Sequence, residues 1–100
     1  MNGYLVKHPD ANAEYVFDFT NEIPENDTLD DYTLTIVDSD GFDRSDDVRL
    51  SATINTSDIT VIFTGGIDGQ NYTVTVIITL GTSETTPTKM IELRVRSAEV

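Results

Sequence analysis

The chain has 100 residues, 38% of them hydrophobic, with three prolines, six glycines, no cysteine and a formal net charge of −12. This length suits one domain over residues 1–100, and the composition excludes a disordered or collagen-like chain, a disulfide framework and a thiolate metal site. Eighteen carboxylates against six Lys and Arg argue against binding to nucleic acid or to anionic membranes, since both need cationic side chains.

Alternation of apolar and polar residues with a period of two dominates the chain. No window of a dozen residues has the i, i+3, i+4, i+7 pattern of a capped helix, so the sequence predicts an all-β fold. In chain order, the predicted strands are Tyr4–Lys7, Glu14–Phe19, Asp31–Val37, Val48–Ile54, Ile59–Phe63, Asn71–Leu80 and Lys89–Arg96. The first is a short edge strand that Pro9 should end, because proline cannot donate to a ladder.

The alternation also assigns side chains to the core. The residues expected to point inward are Tyr15, Phe17 and Phe19, then Tyr72, Val74, Val76, Ile78 and Leu80, and finally Ile91, Leu93 and Val95, while Tyr32, Leu34 and Ile36 share one face of their strand. The polar, turn-rich loop Gly81–Thr88 is typical of the connection in a long hairpin. Seven short strands separated by turn signals about every 8 to 12 residues indicate a β-sandwich.

A glycine-rich turn precedes the longest predicted strand. Gly65 and Gly66 come shortly before Tyr72, which opens an alternating run near the end of the chain. This arrangement is similar to the tyrosine corner of immunoglobulin-like and fibronectin-III domains, where a tyrosine hydroxyl bonds to backbone upstream. The alternative is a core tyrosine without that bond. The predicted fold is an antiparallel β-sandwich of immunoglobulin or fibronectin-III type, without the tryptophan and cysteines of antibody domains.

Few residues suggest chemistry. His8 is the only histidine, and it has neither a nucleophile nor an orienting partner in view. The acidic segment Asp38–Asp47 departs from an EF-hand, because Asp43 stands at the sixth loop position and Arg49 at the twelfth. An irregular calcium site and a simple Asp-Gly turn both remain open for it. The sequence therefore predicts a protein that is not an enzyme and that uses no cofactor.

Neither a membrane span nor a secretory signal is predicted. No segment approaches the roughly 18 apolar residues that cross a bilayer, and the N-terminus lacks a basic region followed by an apolar run. We therefore expect a chain that is made and released in the cytoplasm. Its acidic surface suits a partner with basic residues or one that buries apolar surface, and it equally suits solubility or a high-salt host.

With strands and turns placed, the sequence resembles the small bacteriophage proteins of the fiber-tail adaptor family. The resemblance is carried by Lys7-His8-Pro9-Asp10, Tyr15-Val16-Phe17-Asp18, Asp27-Thr28-Leu29, the turn and strand from Gly65 to Val74, and the closing Leu93-Arg94-Val95-Arg96. The order and spacing of these motifs match over about the whole chain. The tryptophans that members often carry after the first tyrosine strand are absent here.

The resemblance implies a virion structural protein in the phage tail, assembled in the host cytoplasm and present in multiple copies. Its partners would be other tail or neck proteins and fiber proteins, bound through protein–protein contacts. Loops and free strand edges are the usual means of such attachment. The residues that we expect to make these contacts are Tyr4, Leu5, Val6, Lys7, His8, Pro9, Thr82, Ser83, Glu84, Arg94 and Arg96.

Two other functions suit the same fold. One is a carbohydrate-binding or adhesion module, which would expose a pair of aromatic rings. The pattern does not place Tyr4, Tyr32, Phe42 or Phe63, so the sequence leaves this alternative open. The other is a capsid decoration protein, which would bind sites on the capsid lattice.

Overall fold

Seven strands form two packed sheets in residues 3–97, the part of the chain that the computed structural model describes. The strands are β1 (Tyr4–Lys7), β2 (Ala13–Asp18), β3 (Leu29–Asp38), β4 (Arg49–Ile54), β5 (Asp58–Phe63), β6 (Asn71–Leu80) and β7 (Thr88–Val95). One sheet has the order β1-β7-β6-β3, and the other has the order β2-β5-β4. The prediction of an all-β sandwich with about seven strands is confirmed.

The strand order is close to that of a constant-type immunoglobulin domain, in which strands A, B, E and D face strands C, F and G. Here β2, β5 and β4 take the places of B, E and D, and β3, β6 and β7 those of C, F and G. The difference is β1, which joins the other sheet and pairs with β7 in parallel, Tyr4 opposite Glu92 and Lys7 opposite Val95. All other pairings are antiparallel, as expected.

The parallel pair follows from the path of the chain. The turn after β1 leads into β2 at the same end of the sandwich at which β7 finishes, so β1 and β7 run in the same direction. Alternation in a sequence shows which side chains are buried, but it does not reveal the partner or the direction of a strand.

Two short helical turns lie in the connections between strands. One is a 3-10 turn at Thr20–Glu22, and the other is a single α-helical turn, α1 (Ser45–Val48). Val48 therefore precedes β4, although the sequence places it in the strand. A single turn is too short to show helical periodicity, which explains why neither was predicted. No helix among residues 3–97 is long and apolar enough to cross a membrane.

The core lies between the sheets. One sheet fills it with Phe17 on β2, Phe19 just after β2, and Phe63 on β5. The other sheet contributes Ile36, Val74, Val76, Ile78, Ile91 and Leu93. The inward side chains that alternation predicts on β6 and β7 are all buried. Tyr15, Tyr32 and Leu34 are only partly buried and pack against the margin of the core. Each fully buried aliphatic or aromatic side chain stabilises the fold by roughly 1.5–3 kcal/mol.

The turn before β6 has the predicted tyrosine corner. Tyr72 is 3% exposed, and its hydroxyl oxygen accepts a hydrogen bond from the Ile67 amide at 3.1 Å. Gly65 and Gly66 have φ values of 58° and 92°, which side chains disfavour. A Cβ on Gly66 would lie 2.8 Å from Val95 Cγ2, so this glycine lets the turn pack directly on β7.

Candidate protein interface

The four-stranded sheet presents a nearly uncharged outer face to solvent. Because side chains alternate along each strand, the neighbours of the buried Leu93, Val74 and Ile36 point outward. We define the outer face by these outward side chains: Tyr4 and Val6 of β1, Met90, Glu92 and Arg94 of β7, Thr73, Thr75 and Ile77 of β6, and Thr33, Thr35 and Val37 of β3. Threonine and apolar side chains make up most of it.

The charge of this face contrasts with the rest of the described protein. Its two charged side chains neutralise each other, since Arg94 Nε donates to Glu92 Oε1, and Asp31 lies at its β3 border. The loops at the end where β3 and β7 finish carry Asp10, Asp38, Asp40, Asp43, Asp46, Asp47 and Asp68. The outer surface of the other sheet carries Glu14, Asp18 and Asp58. Depletion of charge, with Tyr, Met and Arg present, is typical of the centre of protein interfaces.

Tyr4 and Arg94 form the most prominent contact on this face. The Arg94 guanidinium carbon lies 4.1 Å from the centroid of the Tyr4 ring, which is 59% exposed. Parallel pairing places Glu92 opposite Tyr4 and Arg94 opposite Val6. Arg94 is therefore only two residues along β7 from the position level with Tyr4, on the same face. Such a cation–π contact at an exposed site contributes about 0.5–1 kcal/mol and holds the ring in place. Tyrosine and arginine are also the residue types that most often dominate binding energy.

The remaining predicted contact residues of β1 have structural surroundings. Leu5 packs against the core, and Lys7 is 2% exposed. Lys7 Nζ donates to the carbonyl oxygens of His8 and Gly65 at 2.7 and 2.6 Å, which ties β1 to the glycine turn. Burial lowers the pKa of the Lys7 amine, and the nearby Asp10 carboxylate partly offsets that effect. The structure thus gives Lys7 a role in the fold.

His8 and Pro9 lie in the turn after β1, and both are half-buried. His8 Nδ1 accepts a hydrogen bond from the Asp10 amide at 3.0 Å, and the His8 carbonyl accepts one from the Ala11 amide at 3.1 Å. These bonds shape the turn that carries the chain from one sheet to the other.

Thr82, Ser83 and Glu84 lie at the opposite end of the sandwich from Tyr4. The Asp27 carboxylate accepts hydrogen bonds from the Thr82 and Ser83 amides at 2.9 and 3.1 Å, and Glu84 is exposed. The Thr82 amide is the main cause of a lowered pKa at Asp27. Since Gly81 comes eight residues after Thr73, which lies level with Tyr4, about 26 Å of strand separates this loop from Tyr4.

Arg96 closes the end of the β6–β7 hairpin. Its guanidinium donates to the carbonyl oxygens of Gln70 and Val95 at 3.0 and 2.9 Å, and to Asn71 Oδ1 at 2.6 Å. Of the predicted contact residues, the structure therefore brings Tyr4, Val6 and Arg94 together on one exposed surface. The same surface also includes Met90 and the threonines of β3 and β6, which were not among the predicted contact residues. Threonines at alternate positions of these two strands were the sequence signal that could have identified them.

The acidic segment after β3 folds as a turn stabilised by its own carboxylates. Asp38 Oδ1 accepts from the Asp40 and Phe42 amides at 2.9 and 3.0 Å, and Asp38 Oδ2 accepts from Arg44 Nε at 2.9 Å. The bond from Arg44 is the main cause of a lowered pKa at Asp38. Within residues 3–97, no group of three or more His, Cys, Asp or Glu side chains is arranged to hold a metal ion.

The four aromatic residues that the pattern did not place are now located. Phe63 is buried, Tyr32 is half-buried, and Tyr4 and Phe42 are exposed. Tyr4 lies on β1 and Phe42 beyond β3, at opposite edges of the sheet, so at least three inter-strand spacings, or about 14 Å, separate them. A sugar-binding platform would need adjacent rings, and these two rings are not adjacent.

The sequence model of one protein family matches residues 7–91, and the family is described as podophage GP4 fiber-tail adaptor protein gp77. The chain belongs to this family. The match begins at the last residue of β1 and reaches the middle of β7, so it includes the tyrosine corner and both sheets. It confirms the fiber-tail adaptor resemblance seen in the sequence. No curated protein sequence matches the chain.

Proposed function

We propose that the protein is a virion component that docks on the phage tail or neck and helps to attach tail fibers through protein–protein contacts. Membership of the fiber-tail adaptor family carries this proposal. The protein acts in multiple copies and is assembled in the host cytoplasm. Its partners are tail, neck and fiber proteins, and it performs no catalysis and binds neither nucleic acid nor membrane.

The outer face of the four-stranded sheet is the proposed docking surface, centred on Tyr4 and Arg94. Elsewhere, an incoming protein would meet the field of many carboxylates, whereas on this face Glu92 is neutralised by Arg94. A partner that covers this face buries Val6, Met90 and the threonines without burying an unpaired charge. Covering it therefore costs less desolvation free energy than covering the carboxylate-rich surfaces.

An adaptor has to contact two neighbours at once, and the shape of this protein suits that task. The described residues extend 45 Å along their longest axis and 24 Å and 21 Å along the others. The loop from Gly81 to Pro87 lies about 26 Å from Tyr4 along the sheet. We propose that this loop, with Thr82, Ser83 and Glu84, meets a second partner, so that tail and fiber proteins can bind without overlap.

Binding measurements with the purified tail, neck and fiber proteins of the same phage test the proposal. Wild type should bind at least one of them, and Tyr4→Ala and Arg94→Ala should each weaken that binding about tenfold or more, as central aromatic and arginine residues do. Phe42→Ala is the matched control, because Phe42 is an equally exposed ring, 62% exposed, that lies outside the face.

Three results would contradict the proposal. In the first, the wild-type protein binds none of these proteins. In the second, Phe42→Ala weakens the complex as much as Tyr4→Ala does. The third is purified wild type that binds the capsid shell or immobilised glycans in place of tail proteins. That last result would favour the decoration or carbohydrate-binding alternative.

A further inference from the structure

β3 is an edge strand whose outer side is only partly covered. It has ten residues, whereas the other edge strands β1, β2 and β4 have four, six and six. β3 contains no proline, lysine or arginine, and its pairing with β6 is regular from Asp31 to Asp38. Proteins usually shorten, bulge or charge such edges with lysine, because they attract other strands.

The hydrogen bonds of β3 show which backbone groups face the edge. The Ile36 amide donates to Ser45 Oγ at 3.0 Å, its carbonyl accepts from the Arg44 amide at 2.7 Å, and the Asp38 amide donates to the Phe42 carbonyl at 2.9 Å. The segment after β3 therefore covers the edge at Ile36 and Asp38. Because backbone groups alternate between the two sides of an antiparallel strand, Leu34 and Tyr32 face the same edge.

At these two residues the edge is open. The Tyr32 amide bonds to Asp31 Oδ1 at 2.8 Å, but the Tyr32 carbonyl and both backbone groups of Leu34 bond to no residue within 3–97. These groups form a short row of unpaired acceptors and a donor on the rim of the sheet. Variable-type immunoglobulin domains place an additional strand, C′, beside the strand equivalent to β3.

An apolar strip lies beside this open stretch. Tyr32 and Leu34 point inward at the margin of the core and are half-buried. A strand added to β3 would cover apolar side chains there.

The charges around the open stretch indicate what kind of strand fits. Asp30 and Asp31 precede it, and Asp38, which is paired with Arg44, follows it, with Asp40 and Asp46 nearby in the chain. A second copy of this chain would place its own carboxylates opposite these, with a formal charge of −12 on each copy. Lysine or arginine at the ends of an incoming segment would instead be complementary.

We propose that the Tyr32–Leu34 edge of β3 accepts an extended segment of a partner polypeptide, with alternating apolar residues in its middle and Lys or Arg at its ends. Backbone hydrogen bonds to Leu34 supply affinity, and the apolar strip selects the alternate side chains. This site uses backbone groups at the edge of β3, whereas Tyr4 lies on β1 at the opposite edge of the sheet, so the two proposals can be tested independently.

Amide hydrogen exchange with a model peptide tests the proposal. The probe is acetyl-Lys-Thr-Val-Thr-Val-Thr-Lys-amide. In the free protein, Leu34 should exchange much faster than Thr33 and Thr35, whose amides face β6. Saturating peptide should slow exchange at Leu34 by about tenfold or more while leaving Thr33 and Thr35 slow, because the Leu34 amide would then be hydrogen-bonded to the added strand.

Two matched pairs separate strand addition from other binding. In the first, N-methylation of both valines removes the amides that would face Leu34 and should abolish protection, and glutamate in place of lysine should weaken it about tenfold or more. In the second, Leu34→Pro removes the edge donor without touching the β6 ladder and should bind about tenfold less tightly, whereas Leu34→Val keeps the donor and should bind like wild type.

The inference is overturned if the lysine peptide leaves exchange at Leu34 unchanged, or if the N-methylated peptide protects it equally. Protection of Leu34 that grows with protein concentration in the absence of peptide would assign the edge to a second copy and would also refute the proposal. The peptide experiments need no folded Leu34→Pro variant, and they use no tail protein, so the outcome does not depend on the proposed adaptor function.

Discussion

The hydroxyl of Tyr72 and the amide of Ile67 lie 3.1 Å apart, which joins the turn before β6 to the second residue of that strand. Tyr72→Phe removes the acceptor and keeps the buried ring, so we expect unfolding free energy to fall by about 1 kcal/mol. Urea denaturation measures this. Tyr4→Phe is the control, since no described residue bonds to the Tyr4 hydroxyl. Equal losses in the two variants would show that the corner bond adds no stability.

Gly66 is the glycine whose replacement should destabilise the fold most within this turn. Gly66→Ala combines strain from a φ of 92° with a Cβ 2.8 Å from Val95 Cγ2, and we expect a loss of about 3 kcal/mol. Gly69→Ala is the matched control, because φ is 90° there and no atom beyond its two chain neighbours lies within 4 Å of the added carbon. Its loss should be about 1 kcal/mol. Thermal denaturation of both variants decides, and indistinguishable losses would contradict the packing argument.

Asp27 links stability to pH. The Thr82 amide and its neighbours hold the pKa of Asp27 below its ordinary value of 3.8, so the folded carboxyl is harder to protonate than the unfolded one. The stabilisation is complete above pH 3.8 and is lost as the pH falls through the lower folded value. Asp27→Asn should therefore be less stable than wild type at neutral pH, and the gap should narrow below pH 3.8. NMR titration of the Asp27 carboxyl with a midpoint at or above 3.8 would refute this.

The two lysines should differ in chemical reactivity. Lys7 is almost fully buried and donates to two carbonyl oxygens, whereas Lys89 is partly exposed and pairs with Glu22 at 3.0 Å. Brief acetylation followed by mass spectrometry of peptides should modify Lys89 well before Lys7. In denaturant the two should react alike. Lys7→Met should cost about 1–3 kcal/mol, since it leaves both carbonyls without their donor, and a neutral effect would argue that water replaces the amine.

The sequence was sufficient for the strands because their periodicity is strong. The bounds of β1 and β6 are as predicted, and the inward residues of β7 are all buried, since Val, Ile and Leu at alternate positions leave one consistent face. Val48 was misplaced because one helical turn has no periodic signal. The parallel register of β1 was not predictable, since it depends on which sheet the first strand joins.

The candidate interface was predictable only in part, for a different reason. Exposure of Arg94 follows from alternation, but alternation does not place Tyr4, and the stacking of the two requires β1 to lie beside β7. Lys7 and Arg96 looked like available cations because basic residues are rare in this chain. In the structure, both donate to backbone carbonyls instead, at 2.6–3.0 Å. A contact of that kind leaves no pattern in the sequence.

The parallel pairing of β1 with β7 has a mechanical consequence when the chain is pulled from its two ends. Tension applied ahead of β1 and beyond β7 pulls the two strands in opposite directions along their axes. The bonds from Glu92 to Gly3 and from Arg96 to Lys7, at 3.0 and 2.9 Å, are then loaded together in shear, whereas a hairpin pulled at its open end separates one bond at a time. We expect single-molecule extension from the two ends to require more force than extension that peels β7 from β6. The first and last strands thus form a clamp oriented to resist tension along the chain.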